Sequence, residues 1–253
     1  MAKPVLWHFR FSHYNEKARW ALDWKRVPHV RRAVPPGPHA QQIMELSGQR
    51  AVPVLEWDGR VIPDSTAIIA ALEAAHPAPG LYPSDPRERD RALALEEFFD
   101  EELGPHVRRL TFHTILPDRT FAIALFTEGF GPELHGFYDQ AFPMIEQVMR
   151  TEMQIDDAGV AESRRKVSAA LDRIEHERNG RDHLVGNRFS VADLSAAALL
   201  APFIVPPEFP YSHPGPQPAG FEAMRGEFTA HPSCAWALDI YRHHRGSSAE
   251  VTS

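Results

Sequence analysis

Apolar positions along the first eighty residues alternate between the rhythms of strands and helices. Val5-Leu6-Trp7-His8-Phe9 reads as a buried strand, and Ser12 follows it as a helix cap. The next segment places Tyr14, Ala18, Ala21 and Leu22 on one helical stripe, widened by Trp20 and Trp24, until Pro28 breaks it. His29 to Val34 is short and extended, Pro35-Pro36-Gly37-Pro38 is a loop, and Ile43 to Leu46 suggests a further short helix before Ser47-Gly48. Asp58-Gly59 is a hairpin turn signal joining Val54–Trp57 to Arg60–Ile62. Asp64-Ser65-Thr66 then offers cap chemistry to a helix with Ala67, Ile68, Ala71, Leu72 and Ala75 on one face. The order strand, helix, strand, helix, hairpin, helix describes an α/β domain over residues 1–76.

The pattern changes after Pro77. Residues 77–86 hold four prolines and a glycine without periodicity and read as a linker. From residue 87 to 253 the signals are helical. Ala92, Leu95, Phe98 and Phe99 recur among charges between Arg87 and Leu103. Val167, Ala170, Leu171 and Ile174 form an i, i+3, i+4, i+7 stripe that Asn179-Gly180 stops. Ser190 and Asp193 form a capping box, with Phe189 and Leu194 as its hydrophobic staple. Pro202 to Pro218 contains seven prolines and is expected to be a loop packed over a cleft, and a last helix is expected from about Ser233 to His244.

Composition narrows the functional classes. The 43% hydrophobic content of 253 residues suits two modest domains with real cores. A net charge of −7 with interleaved signs argues against nucleic acid as the main partner. The run Leu194 to Val205 is too short and interrupted to span a bilayer, and no signal peptide is visible, so a soluble cytoplasmic protein is expected. The single cysteine, Cys234, excludes a disulfide framework and a Cys-x-x-Cys redox motif, and reads as a buried apolar residue.

Two polar groupings carry less chemistry than they suggest. Glu96, Glu97, Asp100, Glu101 and Glu102 read as a solvated helix face, so the metal-like spacing of Glu102 and His106 leads to no expected metal site. His106 and His113 are seven apart on a predicted helix, a spacing that would serve haem or another porphyrin. With fourteen histidines in the chain such a pair also arises by chance. Arg242, His243, His244 and Arg245 suit the negative end of the last helix.

The candidate chemistry lies in the first domain. Val52-Pro53 opens the third strand, where proline is tolerated and a cis bond is accessible. A cis bond there would turn the Val52 backbone outward, beside the N-terminus of the helix that follows Asp64. That combination suits a small anionic, peptide-like ligand.

Taken in order, Ser12-His13-Tyr14-Asn15-Glu16-Lys17-Ala18-Arg19, Val52-Pro53-Val54-Leu55, Asp64-Ser65, Leu81-Tyr82-Pro83-Ser84-Asp85-Pro86 and Ser190-Val191-Ala192-Asp193-Leu194 resemble the glutathione transferase family. The resemblance covers most of the chain and is poorest at residues 114–159 and 202–220. It implies a thioredoxin-like N-terminal domain, an all-helical C-terminal domain and a homodimer. The implied reaction is attack of glutathione, or a related low-molecular-weight thiol, on a hydrophobic electrophile, in the service of detoxification. Ser12 is the implied thiol-activating residue, with Tyr14 and Asn15 as alternative donors and His13 expected neutral near pH 7. Mixed-disulfide chemistry is disfavoured, because no cysteine occupies the strand-to-helix turn.

The resemblance also assigns the thiol's binding groups. The Val52 main chain, opened by Pro53, would pair with the cysteinyl unit, and Asp64 and Ser65 would take the γ-glutamyl end. Where the family often places lysine or glutamine for the glycine carboxylate, this chain has Ala51, leaving Gln49 or Arg50 to serve. Phe98, Phe99, Phe112, Phe121, Phe126 and Phe130 are expected to be mostly core, with a minority lining the electrophile cleft. The alternatives are a non-catalytic carrier of a hydrophobic ligand such as haem, and an interaction module on the same scaffold.

Overall fold

The computed structural model describes residues 3–252. Four strands, β1 (Val5–His8), β2 (Val30–Ala33), β3 (Val54–Trp57) and β4 (Arg60–Pro63), form a sheet in the order β2-β1-β3-β4. β1 and β2 run parallel, and β3 is antiparallel to both β1 and β4. Helix α1 (His13–Trp24) makes the crossover that a parallel pair requires, and α2 (His39–Ser47) and α3 (Ser65–Ala75) complete the thioredoxin-like layer. Asp58 and Gly59, both at positive φ, close the β3–β4 hairpin. Side chains alternate across the sheet: Leu6 and Leu55 face the main core, while Trp7 and Val54 meet Ile43 of α2 in a smaller one.

The segment after α3 leads into α4 (Pro86–Glu102), which Asp85 caps with its carboxylate. The helical domain continues with α5 (Gly104–Ile115), α6 (Arg119–Thr127), α7 (Pro132–Glu152), α8 (Asp157–Arg178), α9 (Val191–Ile204), α10 (Ala219–Thr229) and α11 (Pro232–His244). Asn179 ends α8 in the left-handed conformation, and the Ser190–Asp193 capping box starts α9. α9 is apolar on every side and buried along nearly its whole length between α1, α4, α5 and α11. Among the described residues no helix is long and apolar enough to cross a membrane.

Several features depart from the sequence pattern. Pro202 belongs to the last turn of α9, so the proline-rich loop begins at Val205, and α10 follows directly after Pro218. At the end of a helix, proline removes one hydrogen bond that few residues beyond it need. The acidic run on α4 is not uniformly solvated. Glu97 and Glu101 face water, whereas Glu96 and Asp100 turn inward to Lys17, at 3.3 and 2.5 Å. The residues after α11 return to the first domain, where Glu250 bridges His29 at the free edge of β2.

The interior of this assembly is unusually ionic. Asn15, Glu16, Lys17 and Arg19 are fully buried on α1. Arg19 Nε donates to Glu16 at 2.8 Å, and Arg245 donates to Glu16 at 2.6 Å and to Asp23 at 2.8 Å. Asp23 also accepts from Arg31 of β2 at 2.5 Å and from the Ala249 N–H at 2.8 Å. Burial pushes the Asp23 carboxyl up, but Arg245 and Arg31 outweigh it and hold the group below its usual value.

Arg245 thus links the end of α11 to α1 rather than merely serving a helix dipole. Its replacement by methionine leaves Glu16 and Asp23 short of a buried partner, and is expected to cost about 3–5 kcal/mol in urea unfolding at pH 7. Because Asp23 is depressed in the folded protein, its stabilisation is complete above about pH 4 and lost as pH falls through the folded value. The Arg245→Met protein should therefore lose less stability than wild type between pH 7 and pH 3.

Candidate active site

The loop from β1 into α1 is held from beneath. Arg19 donates to the carbonyls of Phe9 at 2.9 Å and Ser12 at 3.1 Å, and to Nδ1 of His8 at 2.9 Å. Burial, reinforced by Arg19, keeps His8 well below the usual histidine value, so it accepts this bond as a neutral ring. Ser12 caps α1 in an extended conformation, its Oγ accepting the Asn15 N–H at 3.4 Å.

Asn15 draws three chain segments together. Its Oδ1 accepts the Phe9 N–H at 2.6 Å, and its Nδ2 donates to Ser12 Oγ and to the Val52 carbonyl, both at 3.0 Å. Ser12 Oγ therefore accepts twice from Asn15, and among the described residues its own proton goes to no protein acceptor. The Val52–Pro53 bond is cis, and Pro53 is buried with its carbonyl accepting the Asp64 N–H at 3.1 Å. The Val52 N–H has no partner among the described residues, while its carbonyl already receives Asn15.

The neighbouring polar groups are committed elsewhere. Tyr14 gives its hydroxyl proton to the Asp100 carbonyl at 2.7 Å, and burial raises its pKa above the ordinary tyrosine value. His13 is buried with Nε2 donating to the Gly104 carbonyl at 3.1 Å. Burial, with Arg108 nearby, lowers its pKa to about 3. A side chain at Gly104 would collide with the Tyr14 hydroxyl, so this glycine permits α5 to approach α1 closely.

A cavity of about 1210 Å³ opens beside Ser12 between the two domains. Ser12, Val52 and Arg50 line it from the first domain, together with His39 at the start of α2. α5 contributes Arg108, Thr111, Phe112 and Ile115, and the loop after α9 adds Phe209 and Tyr211. Of the six phenylalanines singled out in the sequence, Phe112 and Phe121 reach the cavity, and the others pack elsewhere.

Asp64 and Ser65 do not line this cavity. Asp64 is exposed and caps α3, accepting from Thr66 N at 2.7 Å and Ala67 N at 3.4 Å, and Ser65 is buried. His39 and Arg108 carry no sequence signal, since each reads as an ordinary helical polar residue until the tertiary fold turns it toward Ser12. The His106–His113 pair does not face the cavity: His106 Nδ1 meets Ser163 Oγ at 3.0 Å. Glu102 pairs with Lys166, and among the described residues no cluster of three or more metal-ligating side chains occurs.

Comparison with known proteins agrees with this arrangement. Residues 6–80 match the family "Glutathione S-transferase, N-terminal domain", and residues 132–216 match "Glutathione S-transferase, C-terminal domain". Among characterised proteins, FtsZ-localized protein A of Caulobacter vibrioides is 26% identical over 78% of this chain and 75% of its own length. Probable maleylacetoacetate isomerase 1 of Drosophila melanogaster is 28% identical, over 41% of this chain. The chain spans 44% of that isomerase's length. A glutathione S-transferase of Methylobacterium radiotolerans, crystallised with glutathione sulfonate, superposes with a TM-score of 0.65 at 21% identity, over 100% of this chain and 97% of its own. The chain belongs to the glutathione S-transferase family.

The geometry assigns His13 a fixed protonation state. Its ring is expected to show no titration between pH 5 and 8 when followed by NMR, with a midpoint near 3. Asn15→Ala is expected to lower unfolding stability by about 2–4 kcal/mol in urea, because it strips partners from the Phe9 N–H and the Val52 carbonyl at once.

Proposed function

We propose that this protein catalyses addition of a thiolate, from glutathione or a related low-molecular-weight thiol, to an apolar electrophile, with Ser12 as the group that stabilises the sulfur anion. The observation that carries this reading is the state of the Ser12 hydroxyl. Both of its acceptor bonds come from Asn15, its proton is free, and it stands at the N-terminus of α1 on the wall of the cavity.

The magnitudes are adequate. Lowering a thiol from about 8.5 to about 6.5 requires roughly 2.7 kcal/mol of preference for the anion. A hydroxyl donating to a charged acceptor contributes about 1.5–3 kcal/mol, and a helix N-terminus about 0.3–1 kcal/mol. Together they meet the requirement without a further base, in keeping with a neutral, already bonded His13.

In the same reading Asn15 is a positioning residue. It fixes Ser12 and orients Val52, whose free N–H would receive the thiol's cysteinyl carbonyl. Tyr14 holds the domain contact through Asp100. Arg50 and His39, which both line the cavity, would meet the glycine carboxylate, in the role that Ala51 cannot fill. Asp64 and Ser65, at the start of α3, would receive the γ-glutamyl end outside the main cavity. A cytoplasmic homodimer that clears electrophiles is the setting this chemistry implies.

Calorimetric titration with glutathione and conjugation of a chloronitrobenzene test the proposal together. Ser12→Ala is expected to lower kcat/KM by about 10- to 100-fold near pH 6.5. The acid limb of the rate profile should move to higher pH while glutathione still binds. Absence of glutathione binding at millimolar concentration, or an unchanged rate in Ser12→Ala, would overturn it.

A further inference from the structure

The wall of the cavity along α5 combines an arginine that has no carboxylate partner among the described residues with a broad apolar surface. Arg108 shares a face of α5 with Thr111, Phe112 and Ile115, and all four line the cavity. Among the described residues no carboxylate lies within 4.0 Å of its guanidinium, and none of its N–H groups finds an acceptor. Its Nε is removed from water without a partner. The nearest polar neighbours supply no counter-charge: His13 is neutral, and the Tyr14 ring, 5.9 Å from the guanidinium carbon, offers only a cation–π contact, its hydroxyl being bonded to Asp100.

The arginines of the ionic interior are treated differently, although Arg10 Nε, like that of the half-buried Arg108, also lacks a partner among the described residues. Arg19, Arg31 and Arg245 each meet a carboxylate at 2.8 Å or less. A guanidinium left without a counter-ion beside apolar side chains is unfavourable, and an entering carboxylate would remove that penalty. The planar fork of arginine matches a carboxylate in two parallel hydrogen bonds.

A second wall is α7. Met144, Ile145, Val148 and Met149 line the cavity from this helix, with Phe137 about two turns earlier. Although apolar, Met144 is 62% exposed and Phe137 and Val148 are each 47% exposed. Methionine adapts its shape to varied apolar partners, so the wall suits a long flexible body better than a small rigid one. The cavity volume, about 1210 Å³, also exceeds the roughly 300–1,000 Å³ of ordinary small-molecule pockets. Glu152, the acidic residue of the lining, sits exposed at the far end of α7. It would repel a second carboxylate there.

We propose that the electrophile subsite takes an amphipathic monocarboxylate, its head group gripped by Arg108 and its apolar body laid along the methionine-lined face of α7. The proposal rests on the reading of this cavity as the site where a thiolate at Ser12 meets its electrophile. It differs from a site for small diacids in its long apolar wall, Arg50, the other arginine of the lining, being assigned to the thiol.

The test is calorimetric binding of decanoate, decanol and butanedioate to the full chain without glutathione. Decanoate is expected to bind at least about tenfold more tightly than decanol, and butanedioate to show no binding. Arg108→Gln should abolish the preference for the acid while leaving decanol affinity unchanged, which also reports that the variant is folded. Met144→Ser should weaken both ten-carbon ligands alike. Equal affinity for decanoate and decanol in wild type, tighter binding of butanedioate, or an acid preference that survives Arg108→Gln would overturn the proposal. Ser12→Ala should keep the decanoate preference. Absence of glutathione conjugation by the wild-type protein with that preference intact counts against the thiol chemistry alone, and wild-type conjugation without that preference counts against the carboxylate subsite alone.

Discussion

Helix α1 is buried on all sides although four of its twelve residues are charged, and the architecture is organised around satisfying it. A buried ion left alone costs several kcal/mol, so each charge on α1 requires a partner from a neighbouring element. Glu16 is met by Arg19 of its own helix and by Arg245 after α11, and Lys17 by Glu96 and Asp100 of α4. Asp23 is met by Arg31 of the sheet edge and again by Arg245. The two domains and the segment after α11 are therefore not independent bodies joined by a linker. They are the remaining walls of a site that binds α1.

The same constraint places the chemistry. Arg19, anchored by Glu16, holds the carbonyls of Phe9 and Ser12, so the β1–α1 loop cannot drift. Asn15, one position before Glu16, ties Ser12 to Val52. The ionic underside of α1 rigidifies the turn, and the amide network above it orients the hydroxyl. A preorganised donor of this kind stabilises an anion without reorganising when the anion forms. Stability, and in the proposed reading reactivity, thus depend on one helix read from its two ends.

The cavity divides its labour between the domains. The first domain supplies hydrogen-bonding groups near Ser12, and α5, α7 and the loop after α9 supply volume and apolar surface. Residues 114–159 and 202–220 form much of that apolar wall, and the match to the family's C-terminal domain, residues 132–216, runs through most of both. In the proposed reading, the second domain therefore sets ligand choice while the reacting group stays with the first.

Much of the fold was legible in local pattern. Strand and helix rhythms, the Ser12 and Asp64 caps, the Asp58-Gly59 turn, the Asn179-Gly180 stop and the Ser190–Asp193 box each depend on residues a few positions apart. The thioredoxin-like and all-helical layers follow from them. Ser12 was visible for the same reason, since a cap serine is set by its own turn. The direction of the charged side chains was not visible. Glu96 and Asp100 look like the solvated face of α4, and Arg245 like a helix-end cation, until Lys17 and Glu16 arrive from 83 and 229 residues away. The isolation of Arg108 is likewise a property of what fails to approach it. Apolar periodicity and caps are local because backbone geometry sets them. The burial of a charge is decided by a distant partner, and only the assembled tertiary structure brings that partner within reach.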